Sequence, residues 1–335
     1  MNKINIGVIY GGISTEHEVS IKSGKSIISN LDKDRYNIFK IYIDKKGDFY
    51  DADNGKIDNV FTYLKELDVI FPVLHGLYGE DGTIQGLLEI LGIPYVGCGV
   101  LSSSIGMDKI YSKIIFEKAS LNVAEYIYLK KDKDKYIYVK DNFNEEEIDI
   151  DKINDLIIDS LSYPVFIKPS RSGSSIGINK VNSKEELKKY IDYAFRFDNK
   201  ILIERCIKGR ELECAILNGK ASSIGEILPS EEFYSYNAKY IGDSKTIIPD
   251  DIPKEHIDKI KKTAIKAFNA IDGEGLSRVD FFLEESTNKI YINEINTMPG
   301  FTEISMYPKL FYNDGISYRE LLDILIEDAI DNKQC

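Results

Sequence analysis

The chain has 335 residues, of which 43% are hydrophobic and 29% are charged, and its formal net charge is −12. This length exceeds one compact core and predicts two or three domains. The negative charge disfavours general binding to nucleic acid or to anionic membranes, and no apolar run is long enough to cross a bilayer. The first apolar run is too short for a signal peptide, and the four cysteines lack metal-ligand spacing. We therefore expect a cytoplasmic protein with free thiols.

The first 100 residues alternate between strand and helix patterns. Three apolar runs read as strands: 4–10, 38–43 and 68–74. Helical stretches separate them, beginning with residues 18–31, so we expect a parallel α/β sheet over residues 1–100. Ligands of such sheets gather where strands end, which is where Gly11-Gly12 and His75 lie. A glycine turn after a first strand also occurs in dinucleotide-binding folds, but the G-x-G-x-x-G spacing is missing here.

Two segments of the next region carry lysines suited to phosphate. Lys109 stands at the start of a predicted helix, where backbone N–H groups attract anions; a lone surface lysine is the alternative. Lys168 ends a buried-type strand and precedes the small-residue loop 170–177. Such a loop exposes N–H groups and hydroxyls to phosphate, although it also serves as a flexible connection. The charged stretch 130–160 is predicted to be solvated loop and helix surface.

Two amphipathic helices are predicted over residues 183–197 and 254–272, each with apolar residues on one face. Between them, residues 230–253 form a long segment that contains three tyrosines and ends in prolines. Long segments of this kind are commonly lids or binding loops. The alternative is that the tyrosines pack into a core.

A β-hairpin is predicted over residues 276–296, with strands at 276–284 and 289–296. If Glu284 pairs with Ile290, the register places two pairs of polar residues directly opposite each other: Asp280 with Glu294, and Arg278 with Asn296. Because side chains alternate faces along a strand, all four project to one side. The other side carries apolar residues suited to a core: Val279, Phe281, Leu283, Tyr291 and Ile295.

The polar face of this hairpin suits a metal ion. Asp280, Glu294 and Asn296 offer only oxygen ligands, as Mg²⁺ prefers, and leave room for phosphates. A solvated face with cross-strand charge pairs is the alternative for an arbitrary hairpin. The segment Thr297-Met-Pro-Gly300 follows directly. A glycine N–H beside a divalent metal can stabilise an oxyanion, which favours the catalytic interpretation.

These motifs together resemble one family of enzymes. In the C-terminal half the matching segments are Lys168 with its Ser/Gly loop, Leu-Ile-Glu204-Arg, Gly-Arg-Glu211-Leu, Arg278-Val-Asp280 and Asn293-Glu-Ile-Asn296-Thr-Met-Pro-Gly300. In the N-terminal half they are Tyr10-Gly-Gly-Ile-Ser-Thr-Glu16-His-Glu-Val-Ser20, Leu74-His75-Gly-Leu-Tyr-Gly-Glu80-Asp-Gly and Met107-Asp-Lys109. They occur in order from about residue 4 to residue 325. The chain resembles the ATP-grasp superfamily and, within it, the D-alanine–D-alanine ligases.

The resemblance implies an α/β fold with an ATP-grasp core behind an N-terminal parallel α/β domain. The implied domains are residues 1–100, a central small domain over 101–190, and a C-terminal domain over 191–335 that carries the lid 230–253. The implied reaction joins two D-alanines through an acylphosphate for peptidoglycan precursors. A cytoplasmic homodimer is implied as well, with no nucleic-acid or membrane partner.

The resemblance also implies a nucleotide and metal site. ATP would contact Lys109 and Lys168 through its phosphates, Glu211 through its ribose, and the segment Glu204-Arg205-Cys206-Ile207 through its adenine. Asp280, Glu294 and Asn296 would hold two Mg²⁺ ions, for which Mn²⁺ could substitute.

The remaining implied roles concern the amino-acid substrates. Glu16 would bind the ammonium group of the first D-alanine, although an acid there could instead cap the following helix. His75 would contact the same substrate, although an isolated histidine is often structural. The other implied roles are a network of Glu16 with Ser174 and Tyr240, a lid contact by Lys239, oxyanion stabilisation by Arg278 and Gly300, and carboxylate binding by Ser305.

Two alternatives remain open within this resemblance. The first is a ligase that makes a D-alanine–D-lactate or D-alanine–D-serine product; Tyr240 and the sequence Ser305-Met-Tyr favour D-alanine within the family pattern. The second is a non-catalytic ATP-binding protein on the same fold. The presence of Arg278 and of all three metal-ligand candidates argues against that second alternative.

Overall fold

Residues 3–228 and 245–332 are the part of the chain that this computed structural model describes. The first sheet has the order β4-β3-β2-β1-β5. Its strands are β1 (Ile4–Gly11), β2 (Tyr36–Ile43), β3 (Phe49–Asp51), β4 (Gly55–Lys56) and β5 (Val69–Pro72). The helices of this region are α1 (His17–Asn30), α2 (Val60–Leu64) and α3 (Thr83–Leu91).

This first sheet is mixed rather than wholly parallel. β1 runs parallel to both β2 and β5, which confirms the prediction for three strands. The prediction is wrong for β3 and β4, which pair antiparallel. The chain turns back at once after β2 through a tight turn in which Asp44 N–H donates to Asp48 O at 3.0 Å. A turn this short cannot make the crossover that a parallel neighbour requires.

The second sheet is antiparallel and has the order β10-β9-β11-β6-β7-β8. Its strands are β6 (Tyr126–Asp132), β7 (Lys135–Val139), β8 (Glu145–Ile148), β9 (Val165–Pro169), β10 (Asn179–Val181) and β11 (Lys200–Arg205). Two helices pack on it, α6 (Ile150–Ser160) and α7 (Lys184–Ala194). The stretch 130–160 therefore contains regular strands where loop was predicted, and its acidic residues in β8 pair with exposed lysines.

The third sheet is also antiparallel, with the order β14-β13-β12-β15-β16. Its strands are β12 (Gly209–Leu217), β13 (Lys220–Leu228), β14 (Lys245–Ile247), β15 (Leu276–Glu284) and β16 (Ile290–Asn296). Helix α8 (Lys254–Ala270) buries its apolar face against this sheet, as the periodicity predicts.

The described residues contain four further helices. These are α4 (Val100–Met107), α5 (Lys109–Lys118), α9 (Met306–Asn313) and α10 (Tyr318–Asn332). One apolar core joins β1 and β5 of the first sheet to α9, α10 and Phe301. The segment after β16 is thereby held against the first sheet, so residues from both ends of the chain meet there.

The second sheet draws its strands from residues 126 to 205, so β11 lies beyond the predicted boundary at residue 190 but pairs with β9 and β6. The three-domain division itself stays a prediction. Within the residues described, no helix combines the length and apolar character needed to span a membrane.

Candidate active site

The hairpin of β15 and β16 presents its polar residues as the sequence predicts. Asp280 pairs with Glu294 and Arg278 pairs with Asn296, which confirms the predicted register at the site. The predicted pair of Glu284 with Ile290 is wrong, because Ile290 lies opposite Leu283. A β-bulge accounts for the difference: one extra residue, Asn293, is inserted into β16 beside Asp280.

The bulge also changes which residues lie on the apolar face of the hairpin. Tyr291 lies opposite Phe282 and not on the core side, where Ile292 takes its place opposite Phe281. The ring of Tyr291 instead lies 5.2 Å from the guanidinium carbon of Arg205. Buried neighbours on the core side are as predicted for Val279, Phe281, Leu283 and Ile295.

The charges on the polar face neutralise one another. Arg278 donates from Nε and Nη2 to the two oxygens of Asp280, each at 2.7 Å, and its Nε lies 3.3 Å from Glu213 Oε2. Asn296 Nδ2 donates to Asp280 Oδ2 at 3.0 Å. Burial opposes the charge of Arg278, but the nearby carboxylates outweigh it and raise the pKa of the guanidinium well above its ordinary value. Arg278 is therefore a permanent cation at the site.

A second cation, Lys109, reaches this face from helix α5. Asp108 caps the helix by accepting the N–H groups of Ile110 and Tyr111, each at 3.2 Å, so Lys109 is the first helical residue, as predicted. Lys109 Nζ lies 3.1 Å from Glu294 Oε2 and donates to Ser172 O at 2.8 Å. This side chain therefore joins the hairpin to the loop after β9.

The donor set on the hairpin fits a hard cation in part. Two carboxylates and one amide oxygen share a face, which suits a metal that prefers oxygen. Within residues 3–228 and 245–332, no group of three or more histidine, cysteine, aspartate or glutamate residues is arranged to hold a metal. A metal ion at this face would therefore need further oxygens from a bound substrate.

Glu16 lies across the site from the hairpin. Its carboxylate accepts a hydrogen bond from Ser174 Oγ, which confirms that these two residues meet. The glycines at positions 76 and 173 pass so close that a Cβ on either would overlap Glu16 Oε2. The alternative that Glu16 caps helix α1 does not hold, because its side chain makes no cap hydrogen bond. The carboxylate is thus directed toward the loops and not toward the helix.

His75 is buried, with both ring nitrogens in hydrogen bonds to protein. Nδ1 lies 3.1 Å from Met298 O, and Nε2 lies 3.0 Å from Ser23 Oγ. A carbonyl oxygen can only accept, so Nδ1 carries the proton. Burial lowers the pKa of the imidazole, which agrees with a neutral ring.

Glu80 is a residue of the site that sequence reasoning did not assign. It belongs to the quoted segment 74–82, and it accepts Gly76 N–H at 2.9 Å. Burial and the neighbouring charge of Glu16 raise the pKa of Glu80 to about 8. The sequence did contain a signal for Glu80, because this acidic residue lies in the same short motif as His75.

These groups line one cavity of about 930 Å³. It brings together predicted substrate and catalytic residues: Glu16, His75, Ser174, Arg278, Gly300 and Ser305. Lys109, which was predicted to contact phosphate, and the metal-ligand candidates Glu294 and Asn296 line it as well. Ser305 Oγ accepts Thr302 N–H at 3.0 Å and lies close to Gly300, where an added Cβ would be 2.8 Å away. Lys239 and Tyr240, with residues 230–244 of the predicted lid, lie outside the described residues.

Apart from Lys109, the predicted nucleotide residues do not line this cavity and form a separate group. Glu204 is buried between two lysines and forms ion pairs with both Lys113 and Lys168. Lys168 also donates to Asn293 Oδ1 at 3.2 Å, which connects the group to the bulge of the hairpin. Burial acts to raise the pKa of Glu204, but the two ammonium groups outweigh it and hold the pKa below its ordinary value.

Sequence reasoning missed Lys113. Its position four residues after Lys109 puts it on the same side of helix α5, which was the available signal. Its partner Glu204 belongs to a different element, so only the fold shows that they meet.

The other predicted nucleotide residues follow along β11 and β12. Arg205 donates to Glu125 Oε2 at 2.6 Å and to Glu284 Oε1 at 2.7 Å. Cys206 is half-buried, and burial raises the pKa of its thiol. Cys206 and Ile207 lie in the link between β11 and β12, and Glu211 stands on β12 opposite Phe282. The free thiols of Cys98, Cys206 and Cys214 agree with prediction, whereas Cys335 lies outside the described residues.

Comparison with solved structures defines the class of the protein. A D-alanine–D-alanine ligase from Coxiella burnetii matches with a TM-score of 0.84 and 33% identity, over 100% of this chain and 96% of that one. A D-alanine:D-serine ligase from Enterococcus faecalis matches with a TM-score of 0.83 and 34% identity, over 98% and 100%. The ATP complex of a D-alanine–D-alanine ligase from Bacillus anthracis matches with a TM-score of 0.79 and 32% identity, over 99% of both chains. The fold is that of the ATP-grasp ligases.

Comparison with known sequences narrows this class to a family. Residues 5–60 and 54–98 match the family described as D-ala D-ala ligase N-terminus, and residues 115–327 match D-ala D-ala ligase C-terminus. A D-alanine–D-alanine ligase from Acetivibrio thermocellus is 47% identical over 98% of this chain and 96% of its own length. The chain belongs to the D-alanine–D-alanine ligase family and is an ATP-dependent ligase.

Proposed function

We propose that the chain joins two molecules of D-alanine at the cavity between Glu16 and the hairpin, with ATP as the source of the activating phosphoryl group. Family membership supports this reaction, which supplies D-alanyl-D-alanine for peptidoglycan precursors. The observation that carries the assignment to this cavity is the arrangement of Arg278 and Glu294 beside Gly300, facing Glu16. Cations, a carboxylate face and a backbone donor meet there, as a reaction that moves phosphate and forms an oxyanion requires.

The metal proposal rests on the oxygen donors of the hairpin. Asp280, Glu294 and Asn296 would hold two Mg²⁺ ions, for which Mn²⁺ could substitute, with the phosphates of ATP completing the ligand set. When bound, these ions neutralise charge on the phosphates during transfer. Arg278 pairs with Asp280 and Lys109 pairs with Glu294, and these cations offset the negative charge of the two carboxylates.

The proposed nucleotide site consists of two lysines and the segment at the end of β11. Lys109 and Lys168 would contact the phosphates, since each lies next to the small-residue loop or the bulge at the end of the hairpin. The carboxylate of Glu204 forms ion pairs with two lysines, so we propose that the segment Glu204–Ile207 as a whole recognises adenine. Glu211 would contact the ribose.

The chemistry we propose proceeds in two steps. A carboxylate oxygen of the first D-alanine attacks the γ-phosphorus of ATP, the bond to ADP breaks, and an acylphosphate forms. The amine of the second D-alanine, having lost a proton, then attacks the carbonyl carbon, and the tetrahedral intermediate expels phosphate together with the original carboxylate oxygen. Arg278 and the N–H of Gly300 stabilise the oxyanion of that intermediate.

Each amino acid would be held by a different wall of the cavity. Glu16 would bind the ammonium group of the first D-alanine, and the hydrogen bond from Ser174 orients the carboxylate of Glu16. Ser305 would bind the carboxylate of the second D-alanine, beside Gly300. Tyr240 and Lys239 remain predicted lid contacts. The predicted contact of His75 with substrate is left out of this proposal, because both of its ring nitrogens bond to protein.

Product identity tests the proposed function, because the chain is also similar to a D-alanine:D-serine ligase. The enzyme, ATP and Mg²⁺ are incubated at pH 7 with equal D-alanine, D-serine and D-lactate, and products are separated by mass. We expect D-alanyl-D-alanine to predominate, with one ADP and one phosphate per dipeptide. Predominant depsipeptide or D-alanyl-D-serine would contradict the proposal.

We also propose a cellular location and an oligomeric state for the enzyme. We propose a cytoplasmic homodimer, since ATP is a cytoplasmic substrate and the exposed side of α3 and α4 carries apolar residues such as Ile90 and Leu101. Light scattering at micromolar concentration would show a dimer mass; a monomer would contradict this part alone.

A further inference from the structure

The segment that carries Gly300 is held at both ends by residues that take no part in the proposed chemistry. We define Met298–Phe301 as the oxyanion strap. At its start, Met298 O accepts from His75 Nδ1 at 3.1 Å. At its end, Phe301 N–H donates to Ser23 Oγ at 3.3 Å, and Phe301 O accepts from Tyr318 OH at 2.5 Å. The N–H of Gly300 lies between these fixed points.

The hydrogen bonds of the strap form one chain with a fixed direction. Phe301 N–H can only donate, so Ser23 Oγ accepts from it and directs its own proton to His75 Nε2. A neutral imidazole that accepts at Nε2 must donate from Nδ1, and Met298 O is the acceptor there. Ser23 thus joins the two ends of the strap through the imidazole ring of His75.

The surroundings leave little freedom for this chain of bonds to rearrange. Ser23 and Phe301 are both fully buried. The ring of Phe301 lies 5.4 Å from that of Phe71 and 5.2 Å from that of Tyr307, measured between centroids. One turn along α1 from Ser23, Ser26 Oγ donates to Tyr318 OH at 3.1 Å, so the same helix also orients the third contact.

We propose that Ser23 is a positioning residue for the ligation step, acting through His75 and with Tyr318 to hold the N–H of Gly300 where the oxyanion forms. This inference rests on the proposed function. In the second step the new C–N bond forms while the carbonyl π electrons move onto oxygen, and that oxygen needs a donor already in place. The first step breaks a P–O bond and forms another, and it creates no oxyanion on the carbonyl carbon. Loss of Ser23 should therefore slow ligation more than phosphoryl transfer.

The test measures both steps in the Ser23→Ala enzyme. Dipeptide formation gives the overall rate. Scrambling of ¹⁸O between the bridging and non-bridging positions of the β,γ-phosphates of labelled ATP, in the presence of D-alanine, reports reversible acylphosphate formation. Because small misplacements of a catalytic donor cost one to two orders of magnitude, we expect kcat for dipeptide to fall about tenfold. Scrambling per turnover should rise by a similar factor, with KM for ATP unchanged.

Ser20→Ala is the matched control. Ser20 lies on the same helix, is equally buried, and makes two hydrogen bonds, from Gly11 N–H and to Val73 O. It does not bond to the strap. We expect Ser20→Ala to lower thermal stability by a similar amount and to leave scrambling per turnover at the wild-type value. An equal rise in both variants would overturn the proposal.

A second variant keeps the test decisive if Ser23→Ala unfolds. Tyr318→Phe removes the bond to Phe301 O together with the bond from Ser26 Oγ, and leaves Ser23 and His75 in place. It should raise scrambling per turnover in the same direction by a smaller factor, about threefold. Turnover and scrambling that fall together in either folded variant would overturn the inference. Failure of the wild-type enzyme to make dipeptide would instead contradict the proposed function.

Discussion

Two carboxyl groups withdrawn from bulk water behave in opposite ways in this molecule. Glu204 lies between Lys113 and Lys168, and its pKa stays below the ordinary value in spite of burial. Glu80 lies in the wall of the active-site cavity near Glu16, and burial with that like charge raises its pKa to about 8. The difference shows that the partner, and not burial alone, decides whether a carboxyl group is ionised.

The contrast separates a fixed ionic group from an adjustable one. Around Glu204 two lysine side chains and one carboxylate are enclosed together. The lysines keep the pKa of the carboxyl group below its ordinary value, while burial lowers the pKa of the Lys113 ammonium group. Around Glu80 two acids face a cavity that would receive a charged substrate, so the protonation of Glu80 can respond to what binds. Groups with displaced pKa values of this second kind are typical of catalytic sites.

The largest expected effect comes from breaking the fixed group. Glu204→Gln leaves two buried ammonium groups without a carboxylate, and we expect the free energy of unfolding to fall by about 3 kcal/mol. Urea unfolding at pH 7 measures it. The matched control is Glu147→Gln, which removes an exposed ion pair with Lys135 at 2.6 Å and should leave the free energy of unfolding nearly unchanged. Equal losses in the two variants would contradict the account of Glu204.

Glu294 lies between these extremes, since it is partly buried and forms an ion pair with Lys109. Glu294→Gln keeps the shape of the side chain but removes the charge on which the proposed metal site depends. We expect turnover to fall about 100-fold, with little change in thermal stability. Glu285→Gln, in the turn of the same hairpin, is the exposed control. Wild-type turnover of Glu294→Gln at limiting Mg²⁺ would refute the metal assignment.

A pH-dependent effect sharpens the Glu80 side of the comparison. With a folded-state pKa near 8, above the ordinary 4.5, the native state binds more protons than the unfolded state between these values. The contribution to stability is therefore complete below pH 4.5 and is lost as the pH rises toward 8, with a slope of at most about 1.4 kcal/mol per pH unit.

Glu80→Gln mimics the neutral acid and removes this dependence. Relative to the wild type, the variant should gain stability steadily from pH 5 to pH 8. Urea unfolding of both proteins at four pH values gives the difference. A difference that does not change with pH would show that Glu80 is ionised in the folded protein as in the unfolded one.

The sequence predicted the hairpin well where alternation applies. Asp280 opposite Glu294 follows from a two-residue period, and that part is confirmed. The bulge at Asn293 leaves no mark in the alternation, so Tyr291 was placed on the wrong face and the pair of Glu284 with Ile290 was wrong. Similarly, the turn after β2 could not be distinguished from a crossover by apolar runs alone, and the first sheet was predicted wholly parallel.

Contacts between distant elements account for what sequence reasoning could not reach. Lys113 meets Glu204, and Ser23 meets Phe301, only because the sheets and helices pack as they do. The pattern of a single sequence predicts the face of a helix or strand on which a residue lies, but it does not predict which residue of another element it contacts. The family resemblance supplied roles for residues of known motifs, yet it did not show that both ring nitrogens of His75 are occupied by protein.

We propose that a D-alanine carboxylate is activated by phosphoryl transfer in this cavity before the amine of the second D-alanine attacks. The most direct measurement uses D-alanine labelled with ¹⁸O in both carboxyl oxygens and follows the isotope into phosphate by ³¹P NMR or mass spectrometry. The account predicts one ¹⁸O atom in each phosphate released with dipeptide, because the attacking carboxylate oxygen leaves on phosphorus. Unlabelled phosphate released in step with dipeptide would contradict it.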